Sequence, residues 1–253
     1  MNTIQGNRIT LVAILAVIGA AASANAGLIG VNAPPSGEAS HQQIITSTYG
    51  GSFSGAPATG FTGSGASSGI SIVRTEDFGN GGTRNVNGVG SVSDDTIWAG
   101  GIISARAIGR YAGYNQTFGY LSGSGNSLTY NNLFNVGGSE TGVSGSVTDI
   151  NLGSLTGGSW RWARSGDNGV HSSRPSDNVD GLDHMVTYRV NGLNNGKITW
   201  LLFFEDLNES QCPDWDYNDL AIEVTTTVPT PGAVTLAGLS GLLVVAGRRR
   251  KSR

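Results

Sequence analysis

Within CPDWDYNDLAIEV, residues 212–224, three aspartates and an asparagine fall inside six residues: Asp214, Asp216, Asn218 and Asp219. Side-chain oxygens at i, i+2 and i+4 have the spacing by which a calcium loop surrounds one hard cation, and Asp219 adds a further carboxylate. The candidate ligands are all oxygens, which favours calcium over transition metals. The stretch is not an EF-hand, because Asp219 occupies the sixth position, where glycine makes the turn, and Thr225 the twelfth, where a bidentate glutamate belongs. The remaining ligands must come from elsewhere in the fold. Glu205 and Asp206, which end the preceding apolar run, are the expected ones, and Asp180 and Asp183 stand before its neighbour. The competing reading is a tight turn, since Asp and Asn bond their own backbone. Against it stands the mutual repulsion of several carboxylates gathered at one loop, which a cation or protons must relieve.

Other constellations carry less chemistry. In SWRWARSGDNG the alternation sets Trp160 and Trp162 on one face of a strand, and RYAGYNQTFGY supplies Tyr111, Tyr114, Phe118 and Tyr120. Exposed aromatics can stack on sugar rings, so a carbohydrate-binding module is the alternative function; alternating tryptophans also suit a sandwich core. His41, His171 and His184 lie in no H-E-x-x-H pattern, and no G-x-S-x-G elbow occurs. Glu205 with Asp219 could in principle serve a glycosidase, which needs only two carboxylates at a suitable separation. The expectation is a non-catalytic protein. The single cysteine, Cys212, forms no internal disulfide, so the core or bound ions must hold the domain together.

The elements that must position the acidic box read as strands. Short apolar runs alternate with turn residues, and no long 3.6-residue period occurs. Strands are predicted over 70–73, 102–108, 117–121, 127–134, 159–163, 185–190, 197–204 and 220–225. TYRVNGLNNGKITWLLFF is a hairpin whose connection contains Asn195-Gly196, a pair suited to left-handed backbone. The chain then returns through residues 205–219 into LAIEV, which puts the box at the mouth of the last hairpin. The expected fold is all-β, an antiparallel β-sandwich of jelly-roll type. Side-chain alternation places Val186, Tyr188 and Val190 on one face, and Ile198, Trp200, Leu202 and Phe204 likewise on one face. Residues 27–68, rich in Gly, Ser, Ala and Thr, read as flexible linker or loosely packed edge strands.

Both ends of the chain read as targeting segments. Arg8, the apolar run 9–22 and the small residues Ala24-Asn25-Ala26 have the form of a secretory signal, residues 1–26. Residues 229–253 carry Pro229 and Pro231, an apolar glycine-containing stretch over 232–247, and the cluster Arg248, Arg249, Arg250, Lys251 and Arg253. Such a cluster holds the end of a spanning helix on the cytoplasmic side. Between the signals, residues 27–228 hold all eighteen acidic residues and nine of the fifteen basic ones, a net charge of nine minus eighteen, or −9. That balance argues against nucleic acid as a partner and for cations.

The tail, VPTPGAVTLAGLSGLLVVAGRRRKSR, closely resembles the PEP-CTERM sorting signal of bacterial envelope proteins, with Thr230 at the central motif position where glutamate is usual. The resemblance implies an exosortase-type processing enzyme as partner, export to the envelope, and at least transient membrane anchorage through the C-terminal transmembrane helix. DGLDHMVTYRV, TWLLFFED and DWDYNDLAIEV, in that order, are similar to an uncharacterised extracellular domain found in many PEP-CTERM proteins, which ends in a D-x-D-Y-N-D-L box. That likeness implies a β-rich exported domain, residues 69–228. The functional expectation is a surface or extracellular-matrix protein that binds calcium at the box and acts in adhesion or assembly, with envelope polysaccharide as a possible partner.

Overall fold

The computed structural model describes residues 29–75, 83–85, 95–139 and 141–227. The signal segment 1–26 and the sorting segment 229–253 lie outside them. Among the described residues, no helix is long and apolar enough to cross a membrane. The fold is antiparallel and β-rich, as the alternating pattern predicts. Its strands are β1 (Ser52–Ala56), β2 (Gly60–Ser64), β3 (Ser71–Thr75), β4 (Thr83–Asn85), β5 (Ile97–Ala99), β6 (Ile102–Gly109), β7 (Gln116–Ser122), β8 (Thr129–Ser139), β9 (Thr141–Ser144), β10 (Ser146–Asn151), β11 (Ser159–Gly166), β12 (Gly169–Ser172), β13 (Met185–Asn191), β14 (Lys197–Phe204) and β15 (Leu220–Thr227), with helices α1 (His41–Tyr49) and α2 (Leu152–Thr156).

The strands form two sheets. One has the order β1-β2-β3-β13-β14-β15-β6-β10, and the other β4-β5-β11-β7-β8-β9 with β12 beside β11. Inward residues of both sheets meet in a common core: Ile198, Trp200, Leu202 and Phe204 of β14 and Ile222 and Val224 of β15 pack with Trp98, Phe118, Trp160 and Trp162 from the facing sheet. The expected one-sided placement of the β14 residues is therefore observed. The other face of the large sheet is covered too. There Val186, Tyr188 and Val190 of β13 join Leu201 and Phe203 of β14, under Ile44 and Ile45 of α1. This is why β14 is buried at every position but its first and reads as an unbroken apolar run rather than an alternating one. Each large side chain so buried contributes about 1.5–3 kcal/mol, so β14 anchors whatever loop follows it.

Three details differ from the expectation. β4 and β5 pair in parallel, unlike the antiparallel ladders elsewhere. Within residues 29–68 the edge-strand alternative holds, since the hairpin β1–β2 forms the edge of the large sheet, but helix α1 is additional to it. Helix α1 starts at a capping box in which the Ser40 side chain accepts from Gln43 N and the Gln43 side chain accepts from Ser40 N. In the β13–β14 connection the left-handed residues are Gly192, Asn194 and Gly196 rather than Asn195. β15 and β6 shift register between Ala221 and Ile222, one residue into β15, a bulge that twists the sheet next to the box.

Candidate cation site

The box lies between the end of β14 and the start of β15, as expected, but its residues do not gather around one point. They divide into two groups. In the first, one oxygen each of Glu205, Asp206 and Asp219 lie within 4.8 Å of one another; in the second, Glu38 takes the place of the 205–206 pair and joins Asp214 and Asp216 at the same limit. That separation is about twice a calcium–oxygen distance of ~2.4 Å, so either trio fits around a single ion. The carboxylates of the box thus fall into two groups rather than the single one that the i, i+2, i+4 spacing suggests.

The backbone explains the division. Cys212, Trp215 and Tyr217 all adopt left-handed conformations, with φ of 61°, 58° and 59°. Such residues cost on the order of 1–3 kcal/mol each unless their surroundings hold them. Tyr217 is held: its ring is buried and its hydroxyl donates to Asp183 O at 3.1 Å. Alternating handedness at 215 and 217 breaks the regular progression on which the calcium-loop spacing depends.

In the first group every carboxylate has a defined partner. Glu205 is 1 % exposed and accepts from Leu207 N at 3.2 Å and Trp215 N at 3.0 Å. Asp219 accepts from Asp206 N at 2.8 Å, and Asp206 accepts from the Gln116 amide at 2.6 Å. Gln116 in turn accepts from Arg164 Nε at 2.9 Å, and Arg164 Nη1 donates to Asp206 O at 3.2 Å. Arg164 is fully buried, and its positive charge, with that of Arg110 farther off, stands against the three carboxylates. Burial first, then the charges of Asp214 and Asp206, push the Glu205 carboxyl up to about 7. Burial likewise raises Asp206, and raises Asp219 well above the usual carboxylate range with Asp206 and Glu205 adding to it.

The second group is more open. Asp214 is exposed and Asp216 only 2 % exposed. Asp216 Oδ1 accepts from Asn218 N at 2.9 Å, so the turn reading is correct for this residue, but Oδ2 has no hydrogen-bond partner. Asn218, fully buried, donates through Nδ2 to Ala39 O at 3.1 Å, and its Oδ1 is also without a partner. Burial, with the charges of Asp214, Glu38 and Asp206, pushes the Asp216 carboxyl up to about 7.

The other expected contributors are engaged elsewhere. Asp180 pairs with His184 Nε2 at 3.0 Å and accepts from Glu209 N, while Asp183 accepts from Met185 N. Cys212 is exposed. Trp160, Trp162 and Phe118 are fully buried in the core, so these aromatics offer no platform to a sugar. Glu205 and Asp219 are close, but Glu205 is sealed from solvent with both oxygens taken by backbone amides. The sorting-motif residues Pro229, Thr230, Pro231, Arg248, Arg249 and Arg250 lie outside the described residues. Sequence reasoning missed Glu38, Gln116 and Arg164. Glu38 has no signal beyond its position two residues before the α1 cap, and Arg164 falls just past the predicted end of its strand. No protein-family model matches this chain, and neither a curated protein nor a solved structure matches it.

Proposed function

We propose that this chain is an exported, envelope-associated protein whose β-sandwich, of jelly-roll type, binds calcium at the Asp box and acts in adhesion or assembly at the cell surface, without catalysis. The observation that carries the reading is the Glu205–Asp206–Asp219 trio, three carboxylates within reach of one ion, with the buried Arg164 beside them. The signal-like start, the PEP-CTERM-like tail and the ectodomain charge of −9 are its sequence support. Membrane routing follows from the tail, with an exosortase-type enzyme as processing partner. Envelope polysaccharide remains the candidate binding partner, and a glycan array tests it directly.

The test of calcium binding is a thermal melt of the detergent-solubilised full-length chain in chelator and in about 10 mM calcium, for wild type and for Asp219→Asn. Extracellular modules bind calcium at about 0.1–1 mM, so the ion adds roughly 1.4–2.7 kcal/mol and a few degrees to the wild-type melt. Magnesium does much less, because it demands tight octahedral geometry. Asp219→Asn removes the part of the response that belongs to this trio. Identical wild-type melts in both buffers would leave the box a turn. Export has its own test: deleting residues 248–253 releases the exported intermediate from the membrane, and undiminished retention defeats the sorting reading.

A further inference from the structure

We infer that Glu38, Asp214 and Asp216 form a second calcium site, one that latches the N-terminal strap, residues 29–40, onto the box. The inference stands on geometry separate from the Glu205 trio. One oxygen of each of the three residues lies within 4.8 Å of the others, the span of a calcium coordination shell. Acidic residues cluster on many surfaces without an ion, but here one member is almost wholly buried. Asp216 Oδ2 has no hydrogen-bond partner inside the protein and almost no contact with solvent, an arrangement that proteins avoid unless a ligand satisfies the group. Asn218 Oδ1, beside the strap at Ala39, is in the same condition. Asp216 also lines a mostly apolar cleft of about 290 Å³ beside the strap, with Val31, Asn32, Pro34, Ser40 and His41 among its walls, so the trio has open space on its Asp216 side.

The consequence concerns the strap. Its bonds to the box include Asn32 N donating to Trp215 O at 2.9 Å, Asn32 Nδ2 donating to Asp214 O, and Ala39 O accepting from Asn218. Against these bonds, the Glu38 carboxyl lies beside those of Asp214 and Asp216, and like charge at that point works against the contact. A divalent cation among the three converts that repulsion into attraction without moving any residue. The strap leads directly into α1, whose Ile44 and Ile45 cover the outer face of the large sheet. The same ion therefore stabilises a layer of the fold as well as a loop.

The experiment uses the full-length chain in detergent, calcium alone as the probe, and two readouts. Calorimetric titration gives the number of ions bound, and hydrogen exchange reports the Asn32 amide, whose acceptor is on the box. The wild type is expected to bind two calcium ions, Glu38→Gln one, and Glu205→Gln one. Exchange at Asn32 is expected to slow about 10-fold between chelator and about 10 mM calcium if the site binds near 1 mM, and Glu38→Gln abolishes the slowing. Glu38 is only partly buried, so its conversion to Gln does not threaten folding. A single ion lost in Glu205→Gln but kept in Glu38→Gln overturns the second site and leaves the first. A single ion with the opposite pattern overturns the first and leaves the latch. No bound ion, or strap exchange indifferent to calcium, overturns the latch.

Discussion

Raising the pH from about 5 to about 8 ionises the buried carboxylates of the box, and the resulting change in stability has a sign that calcium reverses. Glu205 moves from an ordinary value of 4.5 to about 7, and Asp216 from 3.8 to about 7, both chiefly through burial. A group whose folded pKa lies above its unfolded one holds its proton more tightly in the folded state. Its contribution is fully present below about pH 4 and lost as the pH rises through about 7. A shift of this size corresponds to roughly 3 kcal/mol per group, and two such groups together take on the order of 10 °C from the melting temperature of a domain this large. Calcium binds only the ionised form. At pH 5 it competes with protons and adds little, whereas at pH 8 it adds roughly 1.4–2.7 kcal/mol at about 10 mM. The assay is a set of thermal melts of the full-length chain across this pH range, with chelator and with calcium. The difference between the two curves should widen as pH rises. A melting temperature in chelator that climbs from pH 5 to 8, or a calcium shift equal at both ends, would refute the reasoning.

Asp219→Asn keeps an acceptor for Asp206 N and removes a repelled charge, so in chelator at pH 8 it should melt a few degrees above wild type by scanning calorimetry while keeping only the calcium shift of the Glu38 group. Arg164→Met should lower stability in chelator by about 3–5 kcal/mol in denaturant titration, because a buried counter-charge is gone, and calcium should recover more of the loss than it adds to wild type. Gly119→Ala places a Cβ 2.1 Å from Asn131 O at the register shift between β7 and β8, and should destabilise by at least about 2 kcal/mol in the same titration, independently of calcium.

The strands and the position of the box were legible because they rest on local pattern. β13, β14 and β15 alternate or run apolar over their whole length, and their neighbours in sequence are their neighbours in the sheet. The eight predicted strands are all present, with ends displaced by a few residues. What could not be read rests on distant contacts. Helix α1 is nine residues long and rich in β-branched side chains, and its only local mark is the capping box at Ser40 and Gln43. The strap reaches a loop 182 residues away through Asn32, and no spacing within either segment encodes that meeting. Arg164 is a charged residue in an inward position, which a polarity pattern assigns to a strand end.

Two unfavourable features coincide in one short loop, and neither is needed to close a hairpin. Three non-glycine residues take left-handed backbone between Cys212 and Tyr217, and four carboxyls, Glu205, Asp206, Asp216 and Asp219, have their pKa raised by burial and by neighbouring acidic groups. A two-residue turn could join β14 to β15 without either cost. The strain has a visible use, because the reversals at Trp215 and Tyr217 send Asp214 and Asp216 towards Glu38 while Asp219 stays with Glu205 and Asp206. One continuous box is thereby divided between two carboxylate groups, each the size of one calcium shell. β14, buried on both faces, supplies the rigid base that can hold such a loop before any ion arrives. Preorganisation of that kind lowers the ordering that binding of the proposed ions would impose.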